Sequence, residues 1–166
     1  ELELFSLLMA SMRALQLQPR HQPKLLIGHT DLLNLLLKPF DGSLRDRIRG
    51  CLSQYDRLGL RDLVTDTEEL NALCSWLDRR GTAQDILAKL QRDYPDQAVL
   101  NRLQRLIDHL IPLANASGVQ IQLDPTFQPL YELYDGIVLQ LVCQGTSAPV
   151  VIARGGRYDT LVRRLG

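Results

Sequence analysis

The chain has 166 residues, 45% of them hydrophobic and 23% charged, a balance that suits one ordinary globular domain and excludes a disordered polymer. Its 19 Lys and Arg residues match 19 Asp and Glu, so the formal charge is zero and nothing draws the whole molecule toward nucleic acid or an anionic membrane. Cys51, Cys74 and Cys143 are odd in number and lack metal-ligand spacing, which predicts free thiols in a reducing cytoplasm and no disulfide framework.

Leu4, Leu7, Leu8, Met12 and Leu15 recur at helical spacing and predict an apolar stripe. Gln18-Pro19-Arg20-His21-Gln22-Pro23 stops that helix, because proline clashes with the preceding turn. Lys24-Leu25-Leu26-Ile27-Gly28-His29 is a short apolar run bounded by a turn and predicts a buried strand. Thr30 or Asp31 then caps a helix through Leu37 by accepting its first free amide protons, and Pro39 and Gly42 close it. Ser43 to Arg57 reads as a second helix, with Leu44, Ile48, Cys51, Leu52 and Tyr55 on one face. A third is capped by Asp66 or Thr67 with support from Glu69, and stops at Gly81. Thr82 begins a fourth that ends near Tyr94-Pro95. Asp96 opens the longest, which Pro112 kinks or ends.

After Gly118 the period changes from 3.6 to 2. Val119, Ile121 and Leu123 alternate with Gln120, Gln122 and Asp124, the pattern of a half-buried strand with Asp124 on its polar face. Tyr134 to Cys143 and Val150 to Ala153 are further strands, joined by the loop 144–149. The expected class is α+β, with an antiparallel sheet that includes the strand near Leu25. The expected organisation is a single domain over 1–166: a helix-strand-helix part of the core at 1–40, a mostly helical 41–116, and strands plus a C-terminal helix at 117–166. No apolar run is long enough to cross a bilayer and no basic-then-apolar leader is present, so a cytoplasmic location is expected. Glu1-Leu2-Glu3-Leu4 reads as the inside of an element, which predicts a piece of a longer protein.

Few residues stand out chemically. His29 lies between a strand and a helix, where a capping or packing role competes with a ligand role; His21 and His109 have less claim. No His and carboxylate set has metal-ligand spacing, so no metal is expected. No nucleophile elbow, P-loop or Rossmann pattern occurs, and no cofactor is expected. Arg45, Arg47, Arg49, Arg79, Arg80, Arg102 and Arg105 alternate with acids and read as solvated helix faces. The glycine pair Gly155-Gly156 is different. It follows a strand and reads as a turn or as backbone that something approaches closely, beside Tyr158 and the mutually ordering Arg157 and Asp159.

Arg154-Gly155-Gly156-Arg157-Tyr158-Asp159-Thr160-Leu161-Val162 resembles the "AGGRYDGLV" histidine-recognition segment of histidyl-tRNA synthetases, which are class II synthetases. Gln128 to Val138 is similar to their "VRGLDYYNRTV" segment. Ile27-Gly28-His29-Thr30-Asp31-Leu32-Leu33 resembles the "GHVGLL"-type segment of the synthetase-like regulatory subunits of ATP phosphoribosyltransferase, and Tyr134-Asp135-Gly136-Ile137-Val138 resembles their "YTGIV" form. The likeness implies an interior fragment of a class II synthetase-like catalytic domain with a helical insertion. The class II dimer motif, ATP-binding motif and terminal arginine motif are then expected before Glu1 and after Gly166.

Departures separate the two branches. The arginine of "VRGLDYY" assists amino-acid activation in the synthetases, and Pro129 occupies its place here. A proline has no cationic fork to stabilise a phosphate or carboxylate. Leu133 replaces the first tyrosine of the pair, Tyr134 keeps the second, Gln140 replaces a common glutamate, Arg154 a small residue, and Thr160 a glycine. The resemblance therefore implies the non-catalytic regulatory subunit, needed for activity and for histidine feedback on the first step of histidine biosynthesis. It would couple an effector site to a distant active site on its partner, the short-form catalytic subunit. Tyr134, Gly155, Gly156 and Tyr158 would bind histidine, the phenols facing the imidazole and the glycines admitting the ligand to backbone. It would form a homodimer or hetero-oligomer through regions outside these residues, and neither nucleic acid nor membrane is an expected partner. The alternatives are a fragment of a divergent histidyl-tRNA synthetase, or a scaffolding module with a decayed histidine pocket, which the bulk of Arg154 favours.

Overall fold

The computed structural model describes residues 2–17, 19–128 and 134–165. In chain order its elements are α1 (Leu2–Ala14), a 3-10 turn (Pro19–His21), β1 (Lys24–His29), α2 (Thr30–Leu36), α3 (Gly42–Ser53), α4 (Arg57–Leu63), α5 (Thr67–Leu77), β2 (Gly81–Thr82), α6 (Ala83–Asp93), α7 (Ala98–Ala116), β3 (Gln120–Leu123), β4 (Ile137–Gln144), β5 (Pro149–Gly156) and α8 (Asp159–Leu165). These make two compact units woven from alternating stretches of chain. The first draws on 1–27, 81–123 and 139–155, the second on 28–80, 124–138 and 156–166.

The first unit carries a five-stranded sheet in the order β2-β3-β1-β4-β5. The sheet is mixed, which corrects the antiparallel expectation. β1 runs parallel to β3, with Leu25 opposite Ile121 and Ile27 opposite Leu123, while the short β2 runs antiparallel to β3. The chain travels through α2 to α7 before returning as β3, and only so long a crossover lets a strand come back in the same direction. β4 and β5 are joined by residues 145–148, where the Gly145 amide donates to the Ala148 carbonyl at 3.0 Å, a connection that only antiparallel strands make.

On α1 the buried face is Phe5, Met9 and Met12, while Leu4 and Leu7, and Leu15 just after the helix, are exposed. The expected leucine stripe is thus only partly core: α1 is apolar on two adjacent faces, and its packing against α7 selects the Phe-Met face. α7 buries Leu100, Leu103, Ile107, Leu110 and Ala114, and it runs on through Pro112 to Ala116. α6 starts from Thr82, whose hydroxyl accepts from the Asp85 amide, and packs on α7 and β3.

The second unit is mostly helical. The apolar repeat predicts one helix from Ser43 to Arg57, but α3 ends at Ser53 and α4 begins at Arg57. Tyr55 makes the break by adopting φ +58°, a left-handed conformation that side chains normally avoid. Asp56 then caps α4, accepting from the Gly59 amide at 2.8 Å. Asp66 caps α5 by accepting from Glu69 at 2.9 Å.

A buried polar knot sits beside these helices. Asp124 is 1% exposed, not on a solvated face as strand alternation predicts. One carboxylate oxygen accepts from the Thr126 amide at 2.9 Å and hydroxyl at 2.8 Å. The other accepts from the Tyr55 hydroxyl at 2.9 Å and lies 3.1 Å from Arg80 Nε. Arg80 also stacks on the Tyr55 ring, 3.6 Å from its centroid. Arg80 is therefore a packed counter-ion, in contrast to the solvated role expected of it. Burial, reinforced by the Asp124 carboxylate, pushes the Tyr55 phenol up to about 12. Cys51, Cys74 and Cys143 are free, and burial raises the thiols of Cys51 and Cys143.

Candidate functional site

The end of β1, the segment before β4 and the end of β5 come together in the second unit. His29, and not Thr30 or Asp31, is the N-cap of α2: its Nδ1 accepts from the Asp31 amide at 3.1 Å. The same Nδ1 lies 3.9 Å from the Asp31 carboxylate. Thr30 has a different task. Its amide donates to the Gly136 carbonyl and its hydroxyl accepts from the Gly136 amide, both at 2.9 Å. Gly136 takes φ +103°, a conformation glycine adopts freely.

Asp135 ties this segment to the last helix. One carboxylate oxygen accepts from the Asp159 amide at 2.8 Å; the other accepts from the Thr160 amide at 2.7 Å and from the Thr160 hydroxyl. The Asp135 amide donates to the Arg157 carbonyl at 2.7 Å, and the Arg157 amide to the Ile137 carbonyl at 3.0 Å. The Thr160 hydroxyl, with the Thr160 and Asp159 amides, holds the Asp135 carboxyl below its ordinary range. Its ionised form therefore stabilises the fold above that range, and the contribution is lost only as pH falls through the depressed value. Arg157 Nε donates to Asp159 at 2.7 Å, the mutual ordering anticipated from sequence.

Of the four predicted site residues, Tyr134 and Tyr158 meet edge to face, with centroids 6.2 Å apart and planes at 65°. Tyr158 is about half exposed, at 49%. Gly156 lies beneath Tyr134. A Cβ there would come within 2.5 Å of the Tyr134 ring and 2.7 Å of the Ile137 carbonyl. The glycine is thus required by its own neighbours, and its φ is not among the positive ones. Gly155 is different: it ends the part of β5 that belongs to the first unit, and a Cβ there would meet only Leu139 at an ordinary 3.8 Å. Both glycines lie within β5, not in a turn after it. Arg154 donates from Nε to the Gln140 side chain at 2.9 Å, so two departures from the synthetase pattern bond to each other. Pro129 and Leu133 lie outside the described residues.

Sequence reasoning assigned no role to Asp135. The available signal was paired: an aspartate in place of the threonine of "YTGIV", and a threonine in place of the glycine of "AGGRYDGLV". Among the described residues, no three His, Cys, Asp or Glu side chains gather as a metal site, and no helix is long and apolar enough to cross a membrane.

The family model for histidyl-tRNA synthetase matches residues 1–166. Curated relatives named ATP phosphoribosyltransferase regulatory subunit include one from Synechococcus sp. (strain WH7803), 57% identical over 166 residues, and one from Prochlorococcus marinus (strain MIT 9313), 51% identical over 166 residues. The chain is covered fully in both and spans 42% of each relative's length. The crystal structure of an ATP phosphoribosyltransferase regulatory subunit/histidyl-tRNA synthetase from Bacillus halodurans C shares the fold, with a TM-score of 0.79 and 24% identity over 98% of this chain and 43% of that one. The ATP phosphoribosyl transferase (HisG:HisZ) complex from Thermotoga maritima gives a TM-score of 0.60 at 18% identity over 81% of this chain and 48% of that one. With the family model covering the chain from end to end, this chain belongs to the histidyl-tRNA synthetase family.

Proposed function

We propose that the chain is part of a non-catalytic regulatory subunit of ATP phosphoribosyltransferase. The full-length protein works in the cytoplasm with a short-form catalytic subunit and carries histidine feedback to it. The observation that carries this reading is 57% identity, over all 166 residues, to a protein of that name. Pro129 supports the non-catalytic half, because the residue in that place has no cation to offer an acyl phosphate. The tyrosine pair supports the histidine half. An imidazole has one donor and one acceptor nitrogen, and a phenol hydroxyl serves either. Tyr158 presents an exposed ring, Tyr134 stands edge-on to it, and Gly156 sets the height of Tyr134.

The test combines the full-length protein with a short-form catalytic subunit. Phosphoribosyl transfer that appears only on mixing, and that histidine then suppresses, is the expected result. Histidine-dependent pyrophosphate exchange above background by the full-length protein alone would overturn the reading in favour of a synthetase. Activation of the partner without any histidine response would leave a scaffolding subunit with a decayed pocket.

A further inference from the structure

We propose that Asp135 is a positioning residue for the tyrosine pair: its carboxylate clasps the start of α8 and thereby holds Tyr134 and Tyr158 edge to face. The inference rests on reading that pair as the histidine site.

The two tyrosines come from different stretches of chain, and each is the covalent neighbour of a clasp residue. Tyr134 precedes Asp135, and Tyr158 precedes Asp159, whose amide the carboxylate receives. Four hydrogen bonds run between Asp135 and 157–160, from three amides and one hydroxyl. The far side is fixed as well, since Gly136 is bonded at both its amide and its carbonyl to Thr30. Tyr134 is thus anchored through the residues that follow it, and Tyr158 through those on either side. A two-ring contact between separate segments loses its geometry when the segments slide, and this clasp resists that slide. Both residues depart from the synthetase-like patterns, threonine to Asp135 and glycine to Thr160. The structure makes them one pair, in which Thr160 supplies a hydroxyl to the carboxylate.

The experiment uses the full-length protein and five variants: Asp135→Ala, Asp135→Asn, Asp135→Thr, Thr160→Gly and the double change Asp135→Thr with Thr160→Gly. Asp135→Ala should raise the Kd for histidine by about tenfold or more, the scale of lost charge-assisted hydrogen bonds. It should also speed exchange of the Asp159 and Thr160 amides and remove the nuclear Overhauser contact between the two rings. Asp135→Asn keeps one acceptor oxygen and should recover part of the affinity. The double change, which puts the threonine of "YTGIV" and the glycine of "AGGRYDGLV" together, should recover more than either of its single components. Full affinity and an intact ring contact in Asp135→Ala would overturn the proposal. If the wild-type protein binds no histidine, the effector reading falls, and the amide exchange and ring contact of Asp135→Ala still decide whether Asp135 positions the pair.

Discussion

Asp124 and Asp135 both accept hydrogen bonds with each carboxylate oxygen, yet they do opposite things for the molecule. Asp124 is sealed from water, and its charge is tolerable only because Arg80 lies against one oxygen and Tyr55 and Thr126 fill the remaining acceptor sites. Asp135 needs no counter-ion, because two backbone amides and a hydroxyl satisfy it. Burial turns the first carboxylate into a stability element, since removing any partner leaves an unsatisfied group in low dielectric. Partial exposure turns the second into a device for placement, whose loss is felt in geometry before it is felt in stability.

That contrast is sharpest for Asp124→Ala, which should destabilise the fold by roughly 3 kcal/mol. This lies at the low end for breaking a buried pair, because half-exposed Arg80 can turn to water. Denaturant unfolding measures it, and a loss below about 1 kcal/mol would mean that the knot contributes no more than an ordinary hydrogen bond. Gly156→Ala should follow at about 1–3 kcal/mol, because the new methyl meets the Tyr134 ring and a strand carbonyl that cannot retreat. Unchanged stability with abolished histidine binding would instead give the glycine to the ligand.

Tyr55→Phe should cost about 1 kcal/mol at neutral pH, the worth of one hydrogen bond. It carries a pH signature too. The folded protein holds the phenol proton more tightly than the unfolded chain does, so this contribution is complete below pH 10 and declines as pH rises toward about 12. Alkaline unfolding curves of the variant should lack that part of the slope, and a slope equal to that of the wild type would detach Tyr55 from Asp124. Tyr158→Phe should have the smallest effect on the fold, with the melting temperature unmoved and a loss of about 0.5–1.5 kcal/mol in histidine affinity. An unchanged affinity, with the wild type binding measurably, would return Tyr158 to a packing role.

Local features were legible in the sequence where local chemistry decides them. The caps at Asp66 and Thr82 and the period change after Gly118 follow from the residues themselves. The break between α3 and α4 was not legible, because a tyrosine makes it in a conformation that tyrosine propensity does not signal. The burial of Asp124 depends on Arg80 and Tyr55, which lie far away in the chain, so strand alternation alone places it on the wrong face. The parallel pairing of β1 with β3 is likewise set by the crossover between them and not by either strand. At the candidate site the tyrosines and glycines were visible as a motif. The reason for Gly156 was not, since it depends on a ring that another segment delivers.

The seat of Gly156 beneath the Tyr134 ring also bears on how this chain evolves. A residue held by its neighbours is under selection in every generation in which the protein must merely fold. A lineage that bound no ligand at this site would keep Gly156 for as long as it kept Tyr134 and the strand beside it. Under drift with selection for folded protein alone, Gly155 should diversify while Gly156 stays fixed. Of the two glycines, the persistence of Gly155 is therefore the better witness to a continuing task.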